Sequence, residues 1–243
     1  MSSPNYEKIY DSVFSSHKGY LTPAGSPGLK IAKRHEALLK KAGKRHLDIG
    51  CGAGFVLSLS ATSFSKKTFG ADVSPAAIRI AQKRSPTSDI RLIKDEILPF
   101  EDQSMDIITC FDVLEHLDEA DIRKLQSEID RVSSPNALVI ASISLRPSRS
   151  NDINGENLHR TVKDATWWND VFSFTSYTFD ILDKSLIGYR VTGTTKTLRE
   201  YTLPGVVEEA VVPDVAEDGA APASSKSEPT GILSLDREAI SPK

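Results

Sequence analysis

The stretch Arg45-His46-Leu47-Asp48-Ile49-Gly50-Cys51-Gly52-Ala53-Gly54-Phe55 constrains this chain more than any other. It reads as a short buried strand, a glycine-rich turn and a helix that starts behind the turn. Glycine at such a junction lets the backbone take positive φ and lets a ligand approach the main chain closely. A dinucleotide pyrophosphate asks for the spacing G-x-G-x-x-G, open helix amides and no anion nearby. Here Phe55 stands at the third glycine position of that pattern, and Asp48 stands two residues ahead of Gly50. A carboxylate there repels a diphosphate and suits a ligand that carries an ammonium group.

The flanking chain alternates strands with helices. Ahead of the turn, Ser26 and Pro27 are placed as N-cap and first residue of one helix, with Lys40 and Lys41 in its last turn and Gly43 at a left-handed C-terminal position. Behind it, a strand over Lys67–Val73 ends in Asp72, and Ser74-Pro75 starts the next helix. A carboxylate about 20 residues beyond a glycine turn, at the end of the second strand, is placed to accept ribose hydroxyls. Further strands are expected over Ile90–Asp95, Met105–Cys110 and Asn136–Ile143, with a helix capped by Asp118 and striped by Ile122, Leu125, Ile129 and Val132. Such alternation implies an α/β fold with a doubly wound, mainly parallel sheet.

An aspartate ahead of G-x-G-x-G resembles motif I of the class I S-adenosylmethionine-dependent methyltransferases. Further parts of that family's pattern follow in order. Asp72 and Val73 match the second-strand acid and its neighbour. Asp95-Glu96-Ile97-Leu98-Pro99-Phe100 resembles the third motif, where the acid and adjacent backbone meet the adenine edge. Phe111-Asp112-Val113-Leu114-Glu115-His116-Leu117 resembles the segment after the fourth strand in enzymes acting on small molecules, such as those of ubiquinone and menaquinone biosynthesis. The resemblance spans roughly residues 26–202. It implies S-adenosylmethionine as cofactor, bound by Asp48, Gly50, Cys51, Gly52, Asp72, Val73, Asp95, Glu96 and Phe111, with Tyr20 contributing from an N-terminal lid. It also implies a Rossmann-like sheet of seven strands with helices on both faces and the last strand antiparallel, the final two strands drawn from Phe179–Leu186 and Gly188–Tyr201.

Three regions follow: an arm over 1–25, a methyltransferase domain over 26–203 and an acidic tail over 204–243. In the arm, Ile9, Val13 and Phe14 have helical spacing, so it forms either a lid over the cofactor or a segment packed on the domain surface. The tail mixes acids with Pro, Ala, Ser and Val and has few aromatics, which predicts disorder. A short helix around Ile232–Leu235 would be its site for a protein partner.

For the chemistry, a hydroxyl acceptor needs a base, and histidine suits that task. His159 lies in the polar segment after the fifth strand, where ligands bind in such folds, and is the first candidate. His116 is the second, although its place in the Leu-Glu-His-Leu run favours a structural role. Trp167 and Trp168 would stack on a sugar or seal a core. A net charge of −3 and the lack of a basic groove exclude a nucleic-acid substrate. The two cysteines, Cys51 and Cys110, exclude a zinc cluster or disulfide framework, and no metal site is expected. The N-terminal residues show no targeting pattern and no run is long enough to span a membrane, so a cytoplasmic protein is expected. The resulting expectation is transfer of a methyl group to a hydroxyl of a small molecule or glycan. Methylation of an amine and a non-catalytic binding domain of the same fold remain as alternatives.

Overall fold

In the computed structural model, residues 4–16, 18–174, 176–180 and 184–192 are described. Seven strands form one sheet: β1 (Arg45–Ile49), β2 (Lys67–Asp72), β3 (Asp89–Leu92), β4 (Met105–Phe111), β5 (Ser133–Ser144), β6 (Ser176–Asp180) and β7 (Ser185–Val191). Their order is β3-β2-β1-β4-β5-β7-β6. The first five pair in parallel, while β7 runs antiparallel to both β5 and β6. The closing hairpin therefore starts a few residues earlier than the sequence suggested, with Phe179 in β6 and Leu186 in β7.

Period-two alternation sorts the side chains to the two faces. In β4, Ile108 and Cys110 join one core with Ile122, Ile129 and Val132 of α6 (Glu119–Val132) and Trp168 and Phe172 of α7 (Ala165–Phe172). Ile107 faces the other way, onto Ala32 of α2 (Pro27–Arg34), Leu38 and Leu39 of α3 (Glu36–Lys41) and Val56 of α4 (Phe55–Ser63). α5 (Pro75–Arg84) covers the β2–β3 side through Ile78 and Ala81, which meet Leu57 and Ile90. Trp168 is fully buried and Trp167 packs against the same core, so the pair seals the domain.

The single helix expected over residues 27–42 is broken at His35. The His35 ring hydrogen-bonds the Ile31 carbonyl through Nδ1 at 2.8 Å and the Tyr189 hydroxyl through Nε2 at 2.6 Å. A carbonyl only accepts, so Nδ1 donates, Nε2 accepts, and the ring anchors the chain to β7 at the break. Gly43 is not left-handed either. It is small because a Cβ there would lie 2.2 Å from Cβ of Asp106, whose carboxylate takes the Lys44 and Arg45 amides at 3.0 and 2.9 Å.

The arm holds α1 (Tyr6–Ser16) and two short 3-10 turns, Lys18–Leu21 and Pro23–Gly25. α1 is fastened at two places. Asp11 Oδ1 accepts the Ala76 amide at 2.8 Å and the Ser74 hydroxyl at 3.2 Å, satisfying the start of α5. Tyr6 donates its hydroxyl to Asp121 at 3.0 Å and accepts the Asp118 amide at 2.9 Å. Asp118 occupies the N-cap position of α6 without making a side-chain cap bond, and Tyr6 accepts that residue's own amide, another unpaired donor of the helix start. Ile9 and Val13 bury themselves against Leu158, from the segment that follows β5.

Candidate active site

Glycine conformation builds one wall of the site. Gly50, Gly52 and Gly54 have φ of +66°, +50° and +77°, a region that costs other residues about 1–2 kcal/mol each. A Cβ on Gly50 would also sit 2.3 Å from Cγ2 of Val113, so no larger residue fits. The turn opens onto a cavity of about 560 Å³. Its lining includes Tyr20, Asp48, Gly50, Cys51, Gly52, Asp72, Val73, Glu96, Phe111, His116 and His159. Asp95 is not among the lining residues. It and Glu96 form a tight left-handed turn, with φ of +52° and +61°, between the bridged Lys94 and Ile97. The turn leaves Glu96 beside the cavity, and Ile93 reaches it as well.

Asp48 is 3% exposed and receives the Thr109 hydroxyl on Oδ1 at 2.6 Å. Burial pushes its pKa up to about 7, against the lowering effect of that hydrogen bond. Thr109 in turn contacts His46 Nε2 at 2.9 Å, and His46 Nδ1 meets the Ser60 hydroxyl at 2.7 Å. The Thr109 proton points at Asp48, so His46 Nε2 must donate and Nδ1 must accept from Ser60. Burial lowers the His46 pKa to about 3, which keeps that ring neutral. Asp48 is thus a carboxylate held in a dry place where a ligand cation would favour its charged form.

Asp72 spans the turn. Oδ2 accepts the Gly52 amide and Oδ1 the Ser74 amide, both at 2.9 Å. The carboxylate also takes a hydrogen bond from the Val73 backbone and keeps lone-pair capacity for a further donor. Burial raises its pKa in spite of these bonds.

At the other pole, the 3-10 turn Leu114–His116 and the loop after β5 converge. Glu115 is fully buried. Its Oε1 takes the Ser144 amide at 2.9 Å, and its Oε2 has no hydrogen-bond partner. His116 Nδ1 bonds the Leu158 carbonyl at 2.9 Å, and His159 Nδ1 bonds the Arg146 carbonyl at 2.6 Å. Both rings therefore carry hydrogen on Nδ1 and keep a lone pair on Nε2. Burial lowers both pKa values, that of His116 to about 4, where the His159 ring adds to the effect. The rings stand edge to face, 4.7 Å apart.

Sequence reasoning brought out the two histidines, but not Glu115, Tyr6, Tyr10 or Asp11. Tyr10 lines the cavity and meets the His116 ring edge-on at 5.6 Å. The spacing of Tyr6 and Tyr10, one helical turn apart on the same face, was the available signal.

Comparison with known proteins agrees with this geometry. A family profile described as "Methyltransferase domain" matches residues 47–141, which run from β1 through β5. Residues 47–141 are thus a methyltransferase domain of the class I S-adenosylmethionine-dependent type. S-adenosylmethionine is the methyl donor of that family. This chain is 32% identical over 132 residues to a probable S-adenosylmethionine-dependent methyltransferase of Mycolicibacterium smegmatis, covering 50% of each chain. It is 34% identical over 113 residues to the mitochondrial ubiquinone biosynthesis O-methyltransferase of Schizosaccharomyces pombe, covering 42% of this chain and 39% of that one. The matches thus span half or less of these curated relatives. The PH0226 protein of Pyrococcus horikoshii has the same fold, with a TM-score of 0.59 at 15% identity over 75% of this chain and 99% of that one.

The site fits the family's cofactor. A Cβ at Gly50, Gly52 or Gly54 would meet Val113, Phe14 or Ala81 at 2.3, 3.0 or 2.9 Å, so the turn keeps a bare main chain beside the cavity. The buried Asp48, when ionised, has the charge to match an ammonium group. No helix among the described residues is long and apolar enough to cross a membrane.

Proposed function

We propose that this chain moves a methyl group from S-adenosylmethionine to a hydroxyl oxygen of a small molecule, with sugar and glycan hydroxyls included in the class. The observation that carries the reading is the shared cavity. The glycine turn lies along one part of its wall, and two imidazoles with available Nε2 lone pairs lie along another. A neutral alcohol is a poor nucleophile and needs its proton withdrawn, whereas an amine does not.

The cofactor, when bound, supplies a methyl group on a positively charged sulfur. The remaining work belongs to this chain's own residues. Asp48 would hold the amino-acid end, Asp72 the ribose, Glu96 and its backbone the adenine edge, and the backbone at Phe111 the methionine portion. Tyr20 and α1 would cover the site and keep water out. Aligning the acceptor oxygen with the methyl group is then the main source of rate. The O-methyltransferase among the relatives supports oxygen as the acceptor atom. The intact glycines and both acids speak against a non-catalytic domain. Within this proposal, residues 26–203 form the catalytic body and residues 1–25 its cover. The acidic segment from 204 onward, where a protein partner would bind, lies outside the described residues.

Radiolabelled methyl transfer into cell extract, followed by size fractionation and analysis of the product, tests the reading. Label should appear as a methyl ether on a small molecule or glycan. His159→Ala should lower turnover by roughly 10²–10⁴ while leaving cofactor affinity unchanged. Unchanged turnover in that variant would contradict a hydroxyl acceptor and point to an amine.

A further inference from the structure

The polar pole holds more than a pair of bases. Glu115, His116 and His159 each offer one ligand atom, and these atoms all lie within 4.8 Å of one another. We propose that they form a binding site for a divalent first-row transition cation, beside the cofactor cavity and open to the acceptor. The inference rests on the hydroxyl-acceptor reading above and changes the part the imidazoles play in it. With both Nε2 lone pairs on the cation neither ring is the base, and the acceptor hydroxyl, its pKa lowered by binding the cation, releases its proton to solvent.

Three features support it independently of that reading. The first is the donor set: two imidazole nitrogens and a carboxylate oxygen suit Mn²⁺, Fe²⁺, Co²⁺ or Zn²⁺, whereas Ca²⁺ and Mg²⁺ favour all-oxygen sites. The second is the outer shell. Each ring gives its Nδ1 hydrogen to a backbone carbonyl, of Leu158 or Arg146, which fixes the tautomer and aims Nε2 away from the backbone. Metal-ligating histidines are held in this manner. The third is Glu115 itself, a fully buried acid with one oxygen satisfied by Ser144 and the other without a partner. A buried carboxylate oxygen left unpaired is costly, and a cation would remove that cost.

The backbone fixes the three residues near the required arrangement. The Thr161 amide bonds the Glu115 carbonyl at 3.0 Å, and its hydroxyl bonds the Leu117 carbonyl at 2.7 Å. Asn157 Oδ1 accepts the amides of His159 and Ser148 at 2.9 and 3.0 Å. The loop is clamped outside by Arg160, which pairs with Asp152 and Glu156. Ligands on one cation sit about 3.0–3.5 Å apart for bonds near 2.1 Å. Small side-chain rotations therefore close the site. With three protein ligands, positions stay open for oxygens of the acceptor, which favours a substrate bearing two neighbouring oxygen donors. Arg146 lines the same cavity and its charge acts on Glu115, opposing a cation, while Asp112 acts in the opposite sense.

The expectation of no metal rested on the scarcity of cysteines. The ligands come instead from segments more than 40 residues apart, joined by the fold.

The test uses the untagged full-length protein, stripped with chelator and dialysed. It is titrated with Co²⁺, followed by visible absorption, and with Mn²⁺, followed by electron paramagnetic resonance. One cation should bind per chain, with ligand-field bands that indicate nitrogen ligation. Glu115→Gln, which preserves the Ser144 contact, and His159→Ala should each weaken binding at least tenfold, with the folded spectrum and S-adenosylmethionine affinity retained. Arg146→Gln should tighten it. Wild-type protein that binds Co²⁺ and Mn²⁺ no better than the Glu115→Gln, His159→Ala double variant would overturn the site. The two proposals separate cleanly. Methyl ether formation that persists in excess chelator, with no specific cation binding, sinks the cation site and spares the hydroxyl acceptor. Specific binding together with label on an amine sinks the hydroxyl acceptor and spares the site.

Discussion

Asp48 and His46 lie on the same strand, joined through the Thr109 hydroxyl, and burial disfavours the charged form of each. Their effects on stability run in opposite directions. The folded pKa of Asp48 lies near 7, above its ordinary 3.8, so the folded state binds the proton more tightly than the unfolded chain. Stability from this group is present at low pH and declines as pH rises from about 4 to about 7, by at most about 1.4 kcal/mol per unit. His46, lowered from 6.5 to about 3, does the reverse and loses stability as pH falls below 6.5. Asp48→Asn removes one slope and keeps the other. Urea unfolding across pH 5–8 should therefore show the wild type losing stability relative to Asp48→Asn as pH rises, with the difference levelling above 7. A difference that grows in favour of the wild type would contradict the burial argument. At the same scale, Gly50→Ala forces a side chain to a φ of +66° and a 2.3 Å approach to Val113. It should cost about 1–3 kcal/mol of unfolding free energy by chemical denaturation.

Among the elements, α1 separates a loose lid from a fastened cover. Tyr6 bridges to the start of α6 and Asp11 to the start of α5. Tyr6→Phe removes two hydrogen bonds and leaves the Asp118 amide without that acceptor, a loss of about 1–2 kcal/mol. Limited proteolysis should then cut the arm faster than in the wild type, and cofactor dissociation should speed up. Equal cleavage rates would show that the tethers do not hold the arm. These contacts also explain what could be read from sequence at this scale. α5 was legible because Ser74, Pro75 and the apolar spacing are local signals, and Ser74 does cap the helix by accepting the Ala77 amide. The break at His35 was not, because its cause is Tyr189, 154 residues away. Gly43 misled for a similar reason: the pressure on it comes from Asp106 on a neighbouring strand and not from a helix cap.

For the molecule as a whole, the parallel sheet and its switch of direction between β1 and β4 follow from alternating patterns and right-handed crossovers. The glycine-turn side of the cavity sits at the strand ends beside that switch, where Asp48, Gly50, Gly52 and Asp72, singled out from the sequence pattern and its resemblance to motif I, all line the wall. The histidine side of the cavity is assembled from the turn after β4, the loop after β5 and the N-terminal arm. No local pattern encodes those meetings. Glu115 read as one residue of a Leu-Glu-His-Leu run, and only the fold shows its buried oxygen beside two imidazoles. The cavity thus has a glycine-turn side fixed by local geometry and a histidine side fixed by long-range packing.

Calorimetric titration of the full-length chain with S-adenosylmethionine tests the central claim, that the buried carboxylate before the glycine turn receives a cationic amino-acid end. The wild type should bind one molecule per chain. Asp48→Asn, which keeps the Thr109 contact but not the charge, should bind about 10- to 100-fold more weakly, the worth of one charged hydrogen bond. Nicotinamide dinucleotide should not bind measurably to either. Undiminished affinity in Asp48→Asn, or tight binding of the dinucleotide by the wild type, would contradict the account.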